Sequence, residues 1–364
     1  MLPKTIYKLL TILLFVPTLI KSQNRYNYEV EKLPNDVFLL KPNIHSSRWV
    51  TSNIVVIVNK NDVLVVDSGL LPSAAEEAIS VIKKITSKPV KYLVNTHWHG
   101  DHWQGNIAFQ KMYPGIKIIT SKKNQSAILR NGNAWLNIYY PRYLNMMLLD
   151  AKKDLTRKKE GKDSSLMNIS EDQLLTGISE LEKDIDEIKS LNGCYPNTTF
   201  DKKMIINTDN RIIELHYLGI GNTIGDVIVY LPKEKYLITG DLVVFPSPFE
   251  SGAFSKDWVE TSKKLASDFT IHKILPGHGP VLHDASYLEF LNALYVELIK
   301  QMENAYRSGY GQVSEAINVV TLQTISASLE KNENHRKYLK NLGADFIRGA
   351  IRSSFLSMVN GRFE

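Results

Sequence analysis

The sequence predicts a layered α/β domain that is interrupted by one helical segment and followed by another. Three observations carry this expectation. β-Branched runs alternate with segments of helical period between residues 36 and 121. A helical stretch with long polar faces then runs from about 122 to 191. Strand-like runs return from 202 to 279, and from about 284 the chain is helical again.

Taken in order, residues 36–69 read as strands. Within them "NIVVIVNKNDVLVVDSG" is two β-branched runs joined by Asn-Lys-Asn-Asp, a hairpin signal. "LPSAAEEAISVIKKITSKP" (71–89) has helical period and a basic end before proline. "VKYLVNTH" (90–97) is an apolar strand, "WQGNIAFQKMYP" a following helix, and "IKIITS" (116–121) another strand. In the helical stretch, "NAWLNIYYPRYLNMML" carries Trp135, Tyr139, Tyr140 and Tyr143. Such an aromatic stripe is expected to pack as core; as a lid it would favour a substrate with apolar surface. "KKMIINTDNRIIELHYL" (202–218) is a hairpin around Thr-Asp-Asn, and "DVIVYLPKEKYLITGD" (226–241) another around Pro-Lys-Glu-Lys. "FPSPFESGAF" (245–254) is expected as a rim loop, and "HKILPGHG" (272–279) as a final strand ending in a turn.

The N-terminus places two lysines before an apolar run from Leu9 to Ile20, with Ser22 after it. That is the layout of a secretory signal peptide over 1–22, and it implies export to a periplasmic or secreted location. The run is short for a membrane span, so no stable membrane insertion is expected after cleavage. Net charge is +6, and three of the basic residues belong to the leader. The remaining +3 gives no ground for a nucleic-acid partner, and a small-molecule substrate is expected instead. The basic run at 152–162 is interspersed with acids and reads as a solvated helix end. The lone cysteine, Cys194, cannot form an intramolecular disulfide and is expected to be structural.

The chemistry concentrates in "NTHWHGDHWQGN" (95–106). At a strand end, residues i and i+2 point the same way, so His97 and His99 can aim at one ion. Gly100 lets the chain turn, and Asp101 and His102 then offer an oxygen and a nitrogen to a neighbouring ion. One loop cannot enclose a cation, so partners are expected from other strand ends. Asp241, after Gly240 at the end of "YLITGD", and His278, in the glycine-flanked "LPGHGP", are the candidates.

With these residues in hand the chain resembles the metallo-β-lactamase superfamily. The resemblance rests on "DSG" (67–69), "THWHGDH" (96–102), "GNTIGD" (221–226), "TGD" (239–241) and "GHG" (277–279). It implies a four-layer αβ/βα sandwich, placed over 23–283, to which the helical pattern adds an insertion at about 122–191 and a C-terminal extension over 284–364. It also implies a zinc-dependent hydrolase of amide, ester, lactone or thioester bonds, acting through metal-bound hydroxide. Carried over, His97 and His99 bind a first metal; Asp101, His102 and His278 bind a second; Asp241 bridges them and Asp67 supports the site from behind. The superfamily usually has histidine where Asn222 stands, so the first of one or two Zn2+ ions is expected to bind weakly. Asp101 is then expected to orient the nucleophile, and Asn222, where it does not ligate, to donate to an oxyanion. Asp241 stands where β-lactamases of this superfamily commonly carry cysteine or serine, which favours other hydrolases. A mononuclear iron dioxygenase and a binding module with a weakened site are the alternatives. Trp98 and Trp103 are expected to pack, and His45, His272, His283 and His335 to be structural; His216, six residues before Asn222, is the alternative replacement for the missing histidine, disfavoured by its distance along the chain.

Overall fold

The computed structural model describes residues 26–43, 51–161, 169–248, 256–343 and 346–353. The expected signal segment, His45 and the greater part of the expected rim loop lie outside them.

Two sheets face each other. The first has seven strands in chain order: β1 (Glu29–Leu33), β2 (Val37–Lys41), β3 (Ile54–Val58), β4 (Val63–Val66), β5 (Val90–Val94), β6 (Lys117–Ser121) and β7 (Thr198–Phe200). The pairs from β1 to β4 are antiparallel and those from β4 to β7 parallel. The β3–β4 hairpin closes where expected. Asn59 N–H donates to the Asp62 carbonyl at 2.8 Å, and the Asn59 amide donates to the Asp62 carboxylate at 2.8 Å. The second sheet holds β8 (Lys203–Asn207), β9 (Ile212–Tyr217), β10 (Val227–Leu231), β11 (Tyr236–Val244) and β12 (Lys273–His278), in the order β12-β11-β10-β9-β8. Only its β11–β12 pair is parallel.

Side-chain alternation along the strands builds the layers. Val55, Ile57, Leu64 and Val66 of the first sheet pack against Leu215, Val227, Val229 and Leu275 of the second, between the sheets. The alternate residues Ile54, Val56, Val63 and Val65 meet Ala74, Ala78 and Ile82 of helix α1 (Pro72–Ile85). On the far side, Ile228, Leu237 and Ile274 pack beneath Trp258, Leu291 and Tyr295. The last three belong to α7 (Lys256–Ser267) and α8 (Ser286–Arg307). Helix, sheet, sheet and helix make the four-layer sandwich. No helix among the described residues is long and apolar enough to cross a membrane.

Around the cluster of histidines lie two short helices, α2 (Gly100–Trp103) and α3 (Asn106–Met112). Beyond β6 the chain runs through α4 (Lys122–Ala127) and two π-helical segments, Ile128–Gly132 and Trp135–Tyr139, into α5 (Tyr140–Lys159). α6 (Glu171–Lys189) packs on α5; it starts with a capping box between Ser170 and Gln173. After α8 come α9 (Val313–Val319), α10 (Leu322–Leu329), α11 (Glu333–Leu339) and a final helical stretch at 346–353. The sequence reading assigns no element to β1, β7 or α7. The first two are short edge strands, and no apolar run long enough to register announces the third.

Candidate metal centre

Each ligand-type residue sits where a strand of one sheet or the other ends or bends. β4 ends at Val66 and delivers Asp67, held at φ +62°. β5 ends at Val94, and the following loop carries His97 and His99 into α2, which holds Asp101 and His102. β12 ends on His278. Asp241 is placed by an irregularity in β11: Ile238 pairs with Leu275, Gly240 with Pro276, and Val244 with His278. The extra residues on β11 bend it and re-aim its side chains at the rim. Two glycines make room. Gly240 lies at φ +52°, where a Cβ would come within 2.6 Å of Thr96; a Cβ on Gly277 would come within 2.0 Å of Asp241 Oδ1. The two sheets are tied together at this rim by Val227 N–H to the Thr96 carbonyl and Asn53 N–H to the Gly277 carbonyl, each 2.8 Å.

The six ligand-type residues named from the sequence converge. His97 Nε2 lies 2.9 Å from His99 Nδ1 and 3.6 Å from Asp241 Oδ2. His102 Nε2 lies 3.4 Å from Asp101 Oδ2 and 3.4 Å from Asp241 Oδ1. His278 Nε2 lies 3.2 Å from Asp101 Oδ2 and 3.4 Å from Asp241 Oδ1. Two trios, His97–His102–Asp241 and Asp101–His102–His278, each bring one donor atom per residue within 4.8 Å of the others. Asn222 is buried, its amide nitrogen 3.5 Å from His99 Nδ1. Half a turn of the amide presents its oxygen to the same place.

Asp67 holds the cluster from behind. Its Oδ1 accepts from Thr96 N–H at 2.8 Å, and its Oδ2 accepts from Thr96 Oγ1 at 2.8 Å and from His102 Nδ1 at 2.7 Å. That last bond puts the His102 proton on Nδ1 and leaves Nε2 facing Asp101 and Asp241. His102 Nε2, Asp241 Oδ1 and Asn222 Oδ1 are buried without a hydrogen-bond partner. Two of these orphaned atoms, His102 Nε2 and Asp241 Oδ1, lie 3.4 Å apart among imidazoles and carboxylates, a donor set that fits a divalent cation.

The electrostatics divide the site. Burial, with His102 and His99 alongside, holds the His97 imidazole well below its usual range. Burial pushes His99 down to about 4 against the pull of Asp241 and Asp101. Burial opposes charge on His278 and His102 too, but the carboxylates overcome it. Asp241 and Asp101 raise His278 to about 9, and Asp101, Asp241 and Asp67 hold His102 well above normal. In return, against their own burial, Asp241 is held well below the usual carboxylate range by His278 and His102, and Asp101 is lowered by His102 and His278. One half is thus a pair of neutral imidazoles. In the other, imidazoles and carboxylates favour one another's charged forms.

Several residues around the site escaped the sequence reading. Thr96 contacts Asp67, His97 and His102 through one hydroxyl. Ser52 donates to the Asp101 carbonyl at 2.6 Å, and the Asn53 amide donates to the carbonyls of Pro276 and Gly279. The histidines set aside lie elsewhere: His216 pairs with Glu214 at 2.8 Å, and His283 lies 2.8 Å from Lys273 Nζ. Cys194 is buried, its thiol pushed up to about 11 by burial, which suits no nucleophile. Trp103 is buried, donates to the Trp98 carbonyl and stacks on Tyr195. The aromatic stripe is divided. Tyr140 is buried, whereas Trp135 and Tyr139 are exposed, which corrects the expectation that the stripe packs as core.

Comparison with known proteins gives a consistent fold. The metallo-beta-lactamase superfamily model matches residues 47–125. A curated metallo-beta-lactamase type 2 of Bacteroides fragilis is 19% identical over 312 residues, covering 83% of this chain and 97% of that protein. Among solved structures, a metallo-beta-lactamase from Pontibacter korlensis aligns with TM-score 0.50 and 22% identity, over 74% of this chain and 99% of that one. A double mutant of the sec-alkyl sulfatase PisA1 aligns with TM-score 0.58 and 15% identity, over 92% of this chain and 50% of that one.

Proposed function

Since this chain has the metallo-β-lactamase superfamily fold, we propose that it is an exported metal-dependent hydrolase of an amide, ester, lactone or thioester bond. The observation that carries the proposal is the pair of donor trios sharing His102, each within 4.8 Å. Export is inferred from the N-terminal leader pattern.

His97, His99, Asp101, His102, Asp241 and His278 are the residues to hold the cation, and their nitrogen and oxygen donors suit zinc. When bound, such a cation supplies hydroxide at neutral pH and polarises the scissile bond. The chain's own groups do the rest. His97 and His99 are neutral, so their lone pairs are available without loss of a proton. Asp67 fixes the ring of His102 by its 2.7 Å bond to Nδ1. Asp241 faces His97 through Oδ2 and both His102 and His278 through Oδ1, so one carboxylate serves both halves. Asp101 is held ionised beside His278 and is the group to accept a hydrogen bond from the attacking water and orient it. Asn222 is the neutral group next to His99 and can donate its amide N–H to an oxygen that gains charge. An amide oxygen is a poorer zinc donor than an imidazole nitrogen, which makes the His97–His99 half the weaker cation site.

The test is turnover of a panel of ester, lactone, thioester, β-lactam and sulfate-ester substrates, with metal content measured on the same samples. Expected is hydrolysis that a chelator abolishes and zinc restores. Chelator-insensitive turnover refutes the metal mechanism. Stoichiometric iron with oxygen uptake replaces hydrolysis by an oxygenase reading.

A further inference from the structure

The helical segment between β6 and α6 has two faces of different character. Its inner face meets the metal loop: Leu136, Tyr140 and Leu144 are buried in a cluster with Trp103, and Trp98, which stands between His97 and His99, packs against that cluster. Its outer face is apolar and exposed. Six of the fifteen large apolar side chains exposed among the described residues fall within 129–149, so the exposure is concentrated here. Ile138, Tyr139 and Leu149 are 60%, 59% and 59% exposed. Ile138, Arg142, Met146 and Leu149 recur at helical spacing, so they form one stripe. Trp135, its ring 6.2 Å from that of Tyr139, is exposed at one end.

The charge on this segment is one-sided. Residues 122–161 contain nine basic and three acidic side chains, in a chain whose total is only +6. Arg130 and Arg142 are exposed and have no ion-pair partner among the described residues. An exposed helix face that joins aliphatic side chains, interfacial aromatics and unpaired arginines matches an anionic bilayer surface. A second copy fits less well, because a two-fold contact through this face brings two sets of unpaired arginines together with no acidic partner on it.

We propose that the outer face of the 128–159 helical run adsorbs to anionic lipid, lying in the headgroup plane with Ile138, Tyr139 and Leu149 turned into it. The helix docks without spanning, and the metal loop on its inner side is thereby held next to the lipid–water boundary. This inference concerns binding alone and stands or falls apart from the hydrolase reading.

The experiment is co-sedimentation of the metal-loaded full chain with vesicles of phosphatidylcholine alone, or of phosphatidylcholine mixed with phosphatidylglycerol, at low and high salt. Expected is partition onto the anionic vesicles at low salt that added salt weakens. Arg130→Gln with Arg142→Gln is expected to lower it about thirtyfold, and Ile138→Asp with Leu149→Asp to abolish it, both at unchanged far-UV dichroism. As a check that does not need those variants, brominated acyl chains are expected to quench wild-type tryptophan emission more than that of Trp135→Phe. Absence of partition, equal partition by all variants, or equal quenching overturns the proposal. So does a concentration-dependent dimer that the aspartate variant dissolves, since the face then belongs to a second copy.

Discussion

Replacing Asp67 with asparagine removes one charge and one acceptor from behind the metal centre while leaving its shape almost unchanged. The wild-type carboxylate satisfies three buried donors: Thr96 N–H, Thr96 Oγ1 and His102 Nδ1. An amide has one oxygen, so it cannot accept on both the Thr96 N–H side and the His102 side. The hydroxyl has a second outlet at His97 Nδ1, 3.1 Å away, and adapts. One of the two N–H donors is therefore left facing an NH2 group, at about 1–3 kcal/mol, and the charge-assisted bond to His102 is weakened. The backbone is no obstacle, because asparagine accepts the positive φ of this position as well as aspartate does. The loss of stability in the metal-free state is thus about 3 kcal/mol, measured by urea unfolding in chelator.

The effect on metal is separate and more informative. Removing a carboxylate behind a ligating histidine lowers metal affinity by about 10- to 100-fold, because the ring loses its orientation and part of its basicity. Competition titration against a calibrated chelator reads this directly. Affinity within about threefold of wild type would mean that His102 is not a ligand, or that Asp67 does not orient it; either result refutes the reasoning.

Other perturbations probe other parts of the site. Gly277→Ala puts a Cβ 2.0 Å from Asp241 Oδ1 and must displace that carboxylate; turnover is expected to fall about 100-fold or more, with a cation content below wild type by elemental analysis. Asn222→His supplies an imidazole beside His99 and is expected to raise the bound metal per chain after desalting; an unchanged count removes Asn222 from the first site. Asp226 is pushed up to about 7 by burial, so below pH ~4 it is protonated in folded and unfolded chains alike, whereas between pH ~4 and ~7 only the folded chain keeps the proton. That contribution to stability, on the order of 4 kcal/mol, is full below the unfolded pKa and is lost as pH rises to about 7. Asp226→Asn keeps an acceptor for Thr223 N–H and is expected to flatten this slope in urea unfolding across the window; parallel profiles would count against it.

What the sequence makes legible depends on how local the signal is. The β3–β4 and β10–β11 hairpins announce themselves because turn residues and alternating strands are contiguous. His97, His99, Asp101 and His102 are legible for the same reason: four donors share six positions. Asp241 and His278 are 139 and 176 residues from His102 by their numbers, and only the order of short motifs links them to it. Thr96, Ser52 and Asn53 carry no periodic or compositional mark, since they act through hydrogen bonds to residues distant in sequence. The exposed face of the helical run was illegible for a different reason. A sequence of Trp, Ile, Tyr, Met and Leu at helical spacing describes a buried and an uncovered face equally well, and only packing decides which side meets the core.

The position of the centre also says why so much backbone crowding is spent on it. The 97–102 loop hangs from the first sheet, whereas Asp241 and His278 belong to the second. Between them the sheets touch through backbone, with Val227 bonded to Thr96 and Asn53 to Gly277. Any sliding of one sheet over the other therefore separates donors that must stay within a few ångströms. Conversely, a cation gripped from both sides resists that sliding, and its binding free energy becomes stability of the sandwich, about 2.7 kcal/mol when free metal is a hundred times Kd. Metal affinity and inter-sheet packing are then expected to rise and fall together. A substitution between the sheets, such as at Val66 or Leu275 in the shared core, reaches the chemistry by loosening the frame that holds Asp241 against His102.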